Sequence, residues 1–232
     1  MAGTVAPNII TDNLVLYLDA ANNKSYVSGS TSWIDLSPTQ KTGVLTNGPT
    51  FNTGSGGNIA FDGVDDFIDL TFANPQAETV IVWAKSAVSA WNAYGWISSA
   101  RRPNGHIIHP EPSYVYGPNS RQVTFYLLDQ NSTYYNIGNT TPSDITIPHM
   151  YVISTNGSNS HKCYIDGTLI STSTTAITRT SSPSSQTWYL GRDDTAGRYG
   201  NGSIYCAYRY NKQLSDAEIL QNYNTTKTRF GL

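Results

Sequence analysis

The residues best placed to do chemistry in this 232-residue sequence are carboxylates, and most of them are aspartates. Cleavage of a glycosidic bond needs two carboxyl groups about 5–9.5 Å apart. The three glutamates, Glu78, Glu111 and Glu218, stand far from one another in the chain, and Glu218 has a structural explanation of its own. An aspartate pair is the remaining route to hydrolysis, and Ser/His/Asp catalysis has no nucleophile-elbow motif behind it. The expectation is a protein that is not an enzyme. Asp62, Asp65 and Asp66 gather around one turn. Carboxylates with loop carbonyls suit Ca2+, and the same residues suit a turn whose side chains bond local N–H groups. Asp193-Asp194 is a second acidic pair. His106 and His109 have H-x-x-H spacing, but on a strand they face opposite sides and share no metal.

A different chemistry is written between Ala90 and Gln122, where Trp91, Tyr94, Trp96, Tyr114 and Tyr116 alternate with Arg101, Arg102, Asn104 and His106. Aromatic faces stack on sugar rings, and arginine and asparagine bond hydroxyls or acidic groups. Tyrosine, tryptophan and arginine also dominate protein interfaces, and the same residues fit core or loop packing. The candidate ligand or interface residues are Trp91, Tyr94, Arg101, Arg102, Asn104, Tyr114 and Tyr116. Trp96, followed by Ile97, is expected to point inward.

These side chains must be carried by strands. Charged residues make up 13% of the chain and hydrophobic ones 38%, and the balance is rich in Ser, Thr, Asn, Gly and Tyr. A net charge of −2 leaves no basic patch for nucleic acid and no polybasic surface for a membrane. Nothing reads as a secretory leader or a membrane span, so synthesis without a signal peptide is expected. Cys163 and Cys206 sit in strand-like runs and read as two buried thiols or as one disulfide.

Leu14, Leu16 and Leu18 alternate with Val15, Tyr17 and Asp19, the period of a half-buried strand. The β-branched run Thr79–Ala84 predicts a strand buried on both faces. Further strands are predicted near 59–61, 67–70, 123–128, 134–137, 150–154, 162–165, 168–172, 187–190 and 203–210. Asp166-Gly167 predicts a type I′ hairpin between two of them. Ser215 and Glu218 have capping-box spacing after Leu214, which predicts a short helix near 216–224 with Ile219, Leu220 and Tyr223 as its apolar stripe. Residues 1–12 read as an N-terminal arm and 13–232 as one domain.

The order of these segments carries a resemblance. Leu14–Asn22 precedes Trp33-Ile34-Asp35-Leu36-Ser37, then Gly43–Phe51 and Ile59–Ile68 with its Phe-Asp-Gly-Val-Asp-Asp-Phe turn. Tyr189-Leu190-Gly191-Arg192 and Leu214–Asn224 complete the set. Together they resemble the laminin G-like branch of the concanavalin A-like lectin/glucanase superfamily, in the form carried by tailed marine or cyanobacterial bacteriophages. The resemblance implies an all-β jelly-roll sandwich of two antiparallel sheets with one short C-terminal helix. It implies Phe61, Val80, Val82, Trp83, Tyr164, Leu190 and Ile204 between the sheets. Calcium at a sandwich rim is a feature of such relatives, with Asp62, Asp65 and Asp66 as the candidate ligands. The function it implies is a non-catalytic virion structural protein, an outer capsid decoration protein. The alternative is a glycan-binding receptor module of a tail or head fibre, and a glycoside hydrolase ranks third. The expected partners are other virion proteins (the major capsid protein or a fibre), further copies of the chain, and host surface glycan.

Overall fold

The computed structural model describes residues 8–118, 120–181, 185–195 and 197–232. Their strands in chain order are β1 (Leu14–Asp19), β2 (Ser32–Ile34), β3 (Thr42–Thr46), β4 (Thr50–Asn52), β5 (Asn58–Asp62), β6 (Phe67–Ala73), β7 (Glu78–Ser86) and β8 (Ser98–Ser99). The second half adds β9 (His106–Pro110), β10 (Val123–Leu128), β11 (Tyr134–Thr140), β12 (His149–Thr155), β13 (His161–Ile165), β14 (Thr168–Ser173), β15 (Ser185–Leu190) and β16 (Asn201–Tyr210). One four-residue helical turn, α1 (Ser113–Tyr116), follows β9, and one longer helix, α2 (Asp216–Thr226), closes the chain.

The strands form two eight-stranded sheets. The first runs β14-β13-β12-β7-β16-β5-β4, with β1 also paired to β16. The second runs β11-β10-β9-β8-β15-β6-β3-β2. Every pairing is antiparallel, so this is the expected jelly-roll sandwich with a C-terminal helix.

The apolar run of β7 divides by the strand period of two. Val80, Val82 and Ala84 face the space between the sheets, beside Phe61, Ile108, Phe125, Leu190 and Ile204. Ile81 and Trp83 face the other way, into a second cluster with Tyr164, Tyr208 and Ile219. Trp83 and Tyr164 are therefore not in the inter-sheet core where the resemblance put them. Adjacent residues of one strand cannot share a face, so Val82 inward requires Trp83 outward. A strand packed on both faces explains the unbroken hydrophobic run.

The second cluster exists because α2 lies over the outer face of the first sheet. Trp83 stacks on Tyr223 with ring centroids 5.8 Å apart and an interplanar angle of 8°, and Phe230 comes within 4.3 Å of it. The capping box forms: Ser215 Oγ accepts from Glu218 N–H, and Glu218 accepts from Ser215 N–H at 2.8 Å. Leu220 departs from the expected stripe; it leans over the turn at Gly167 and stays exposed. That turn has φ of 52° at Asp166 and 75° at Gly167, the positive pair a type I′ hairpin needs.

Residues 8–12 of the expected arm dock on the same helix; residues 1–7 lie outside the described residues. Ile10 N–H donates to Asn222 Oδ1 at 2.8 Å, and Tyr210 OH donates to Ile10 O at 3.0 Å. Cys163 lies between the sheets and Cys206 beneath α2, both buried and unbridged. One outer face of the sandwich is thus covered by helix and arm. The outer face of the second sheet carries the residues described next.

Candidate functional site

On β9, β10 and β11 the inward side chains are Ile108, Phe125, Leu127 and Ile137, all in the core. The outward positions between them hold His109, Tyr126 and Tyr134. These three, with Tyr94, Arg101, Ile107 and Arg198, line a pocket of about 320 Å³. Its aromatic rings form a chain. Tyr94 stacks on His109 at 5.0 Å, His109 meets Tyr126 edge-on at 5.6 Å, and Tyr126 meets Tyr134 edge-on at 6.3 Å.

The two arginines are held by one buried carboxylate. Asp193 receives Arg101 Nε at 2.5 Å and Nη2 at 2.6 Å, Arg198 Nη1 at 3.0 Å and Ser99 Oγ at 2.9 Å. Burial alone would raise its pKa, but Arg101 first, then Arg198 and Ser99, hold the carboxyl below the usual range. The guanidiniums also lie against rings: Arg198 over Tyr94 at 4.8 Å and Arg101 over Tyr134 at 5.5 Å. Arg101 Nη1 donates to Tyr134 OH at 3.1 Å. The result is a set of donors and ring faces fixed before any ligand arrives.

Two features form the floor. Gly95 has φ +61°, and a Cβ there would lie 3.0 Å from Asp193 Cγ and 3.1 Å from His109 Nδ1. Only glycine lets the backbone run this close to the ion pair. His109 Nδ1 is buried without a hydrogen-bond partner among the described residues. Burial, with smaller contributions from Arg101 and Arg198, lowers its pKa to about 4, so the ring is neutral at physiological pH. Glu111 stands behind it, 3.9 Å from Nε2, with its own pKa raised by burial.

Of the residues expected from sequence, the pocket joins Tyr94 and Arg101. Tyr114 packs edge-on against Tyr94 at 5.7 Å, at the rim. Tyr116, at the end of the same helical turn, is exposed, and Arg102 pairs with Asp194 at 3.1 Å. Trp91 and Asn104 do not face the pocket. Trp91 is fully buried edge-on to Trp96, its size and apolarity better satisfied in the core. Asn104 is buried with φ 60°, and its side chain bonds the backbone of Thr180. It shapes the loop that delivers Arg101. His109, Tyr126, Tyr134, Ile107 and Arg198 are the pocket residues that sequence reasoning missed. Alternation marks the first three as outward, but only the pairing of β9, β10 and β11 brings them together.

The loop carrying Arg101 is anchored from inside. Glu78 binds Arg179 Nη2 at 2.6 Å and Arg209 Nη2 at 2.9 Å, and Arg179 reaches on to the backbone oxygen of Asn104. All three charged side chains are buried. Burial opposes the charge of Glu78, but Arg179, His106 and Arg209 hold it well below the ordinary carboxylate range. His106 faces this cluster and Ser98, while His109 faces the pocket, on opposite sides of β9 as their spacing requires. Glu78 and Glu218 are thus occupied by an ion-pair cluster and a helix cap.

Asp62, Asp65 and Asp66 offer oxygens within 4.8 Å of one another. Within the turn, Asp66 Oδ2 accepts from Asp62 N–H at 3.0 Å and Asp62 Oδ1 from Val64 N–H at 2.8 Å. Burial, then the charges of Asp62 and Asp65, raise the pKa of Asp66. The donor set is all oxygen and anionic, which fits a hard divalent cation. No helix among the described residues is long and apolar enough to cross a membrane.

Residues 53–220 match a laminin G family described as the concanavalin A-like lectin/glucanases superfamily. No curated protein matches the chain. Among solved structures, domain 4 of an extracellular GH43 arabinanase from Geobacillus stearothermophilus, in complex with arabinotriose, is similar with a TM-score of 0.68 and 16% identity, over 92% of this chain and 100% of that one. The receptor binding domain of botulinum neurotoxin D is similar with a TM-score of 0.69 and 17% identity over 92% of this chain. The binding domain of botulinum neurotoxin DC, in complex with SialylT, gives 0.67 and 15% over 94%. The chain spans about half the length of these neurotoxin domains, 52% in each case.

Proposed function

The chain belongs to the concanavalin A-like lectin/glucanase superfamily, and on that premise we propose that it is a non-catalytic glycan-binding module. Its site is the pocket on the outer face of the second sheet. One observation carries this reading. Ring faces from Tyr126 and Tyr134 and donors from Arg101 and Arg198 converge on one concavity beside Tyr94, and buried Asp193 fixes the donors there. A few fixed polar groups among apolar walls are the usual makeup of a small-ligand site. Glycan binding by the arabinanase domain, recorded with arabinotriose and similar over its whole length, supports the same chemistry.

The mechanism is preorganised recognition. Sugar rings stack on tyrosine faces, and hydroxyls accept hydrogen bonds from guanidiniums already paired with and oriented by Asp193. Little side-chain entropy is then lost on binding. The test is binding of the purified chain to a glycan array and to extracted surface polysaccharide. Saturable binding that Tyr126→Ala abolishes supports the site; binding unaffected by Tyr126→Ala overturns it. Calcium at Asp62, Asp65 and Asp66 is a separate part of the proposal, and a melting temperature unchanged between calcium and chelator overturns it.

The second reading sets this module on the outside of a bacteriophage particle, as a capsid decoration protein or as the receptor module of a tail or head fibre. Its support is the segment order noted above and the exposed turn Tyr114-Val115-Tyr116, whose residues are 67%, 54% and 54% exposed. Such a turn suits contact with a virion protein or another copy of the chain. Peptide mapping of purified heads and tails tests it; absence from both overturns it.

A further inference from the structure

The proposed pocket takes up only part of the outer face of the second sheet. A second aromatic cluster stands on the same face. Arg192 Cζ lies 4.7 Å from the Tyr189 ring centre, 4.8 Å from Phe67 and 5.5 Å from Tyr199. Phe67 and Tyr189 occupy half-buried positions that alternate with buried Ile68, Trp188 and Leu190. Among the described residues the Arg192 side chain makes one hydrogen bond, from Nε to Asp193 O at 2.9 Å. A guanidinium has five N–H donors, so this one keeps donors for a ligand.

The two clusters are in register. Tyr126 stands opposite Ile107, Ile107 opposite Ser99, and Ser99 opposite Tyr189. Three strand spacings separate Tyr126 from Tyr189, about 14 Å at the usual interval. One residue ties them: the Asp193 carboxylate holds Arg101 and Arg198 at the first cluster, and its carbonyl holds Arg192 at the second. A single sugar ring cannot bridge this distance, whereas an oligosaccharide can.

Charge on the face is balanced. Four arginines, Arg101, Arg102, Arg192 and Arg198, share it with Asp193, which pairs with Arg101 and Arg198, with Asp194, which pairs with Arg102, and with Glu111 beside His109. Asp69 is a fourth carboxylate, the partner of Tyr189 in the same row. With the charges matched, the face offers hydrogen bonds and stacking and does not require an anion.

We infer that the two clusters are subsites of one track for an extended neutral oligosaccharide, laid across the strands of the second sheet. This rests on the glycan-binding reading above. The experiment measures affinity for ladders of neutral arabino-, xylo- and manno-oligosaccharides of increasing length, by calorimetry. The longer members of one ladder should bind about tenfold tighter than the shortest binding member, the gain expected of one added stacking platform. Arg192→Gln and Tyr189→Ser, tested separately with melting curves as a folding check, should each erase that gain and leave the affinity for the short member unchanged. Raising salt from about 50 to about 500 mM should change affinity less than about twofold, since screening acts on net charge. Short and long members binding equally would overturn the track and leave the pocket standing. A drop of tenfold or more with salt would overturn its neutral specificity. Failure of every member to bind, with binding elsewhere on the array restricted to charged glycans, would also overturn it, and no binding on the array at all would remove the underlying pocket reading.

Discussion

Arg101 and Asp193 form a two-pronged ion pair, Nε to Oδ1 at 2.5 Å and Nη2 to Oδ2 at 2.6 Å, with the Asp193 side chain fully buried. The pair ties the loop after β8 to the turn after β15, and the proposed pocket is built around it. Asp193→Asn would leave two guanidiniums without their counter-charge. Breaking a buried pair by removing one partner costs roughly 3–5 kcal/mol; because Arg101 and Arg198 keep some solvent access, a loss near 2–3 kcal/mol is expected. Urea denaturation checks this. Arg101→Lys should cost less stability but weaken glycan binding, because an ammonium cannot reproduce the fork.

Glu78 should prove more important to folding than any other glutamate. Glu78→Gln leaves Arg179 and Arg209 buried without a counter-charge, and a loss of about 3–5 kcal/mol is expected. Glu218→Ala removes half of a capping box, a loss of about 1 kcal/mol. Chemical denaturation of both variants measures the difference. Near-equal losses would contradict the buried cluster's role.

Two histidines should give pH dependences of opposite sign. His109 has its folded pKa depressed to about 4, so the unfolded chain binds the proton first. Its contribution to stability is present above about pH 6.5 and is lost as pH falls toward 4. Asp193, Arg101, Arg198, Glu111, Tyr94 and Tyr126 surround it and are common to both proteins when wild type is compared with His109→Gln. The wild type should lose more stability than the variant between those pH values, up to about 3 kcal/mol. His149 runs the other way. Burial opposes its charge, but the hydrogen bond to Asp166 at 2.6 Å outweighs it and raises the pKa. Its contribution is full below about pH 6.5 and is lost as pH rises through the folded value. Stability curves of wild type and His149→Gln should therefore converge at high pH.

Cys163 and Cys206 should resist alkylation in the native protein. Burial pushes both thiols up to about 12, and the thiolate is the reactive form. Labelling counted by mass spectrometry should find no adduct without denaturant and two with it. Rapid native labelling of Cys206 would show that α2 does not stay docked.

Much of this architecture was readable from local signals. The alternation in Leu14–Asp19, the Asp166-Gly167 turn and the Ser215–Glu218 box each act within a few residues, and each forms as expected. The site was half readable. Tyr94 and Arg101 stand out by type, yet Arg198 comes from a turn far along the chain. Tyr126 and Tyr134 became neighbours of His109 only through strand order, which no local pattern encodes. Trp91 and Asn104 misled for a related reason. Side-chain chemistry suggested ligand contact, while burial, which depends on the whole fold, assigned them to packing and to a loop bond.

The most direct test is to map the bound glycan onto the protein. Isotope-labelled chain would be titrated with the tightest-binding oligosaccharide from the array, and amide and aromatic shifts followed by NMR. Saturable shifts centred on Tyr94, His109, Tyr126 and Tyr134 are the predicted result, with smaller ones reaching Tyr189. Shifts centred instead on the Asp62–Asp66 turn, or on the Tyr114–Tyr116 turn alone, would contradict the pocket as the binding site.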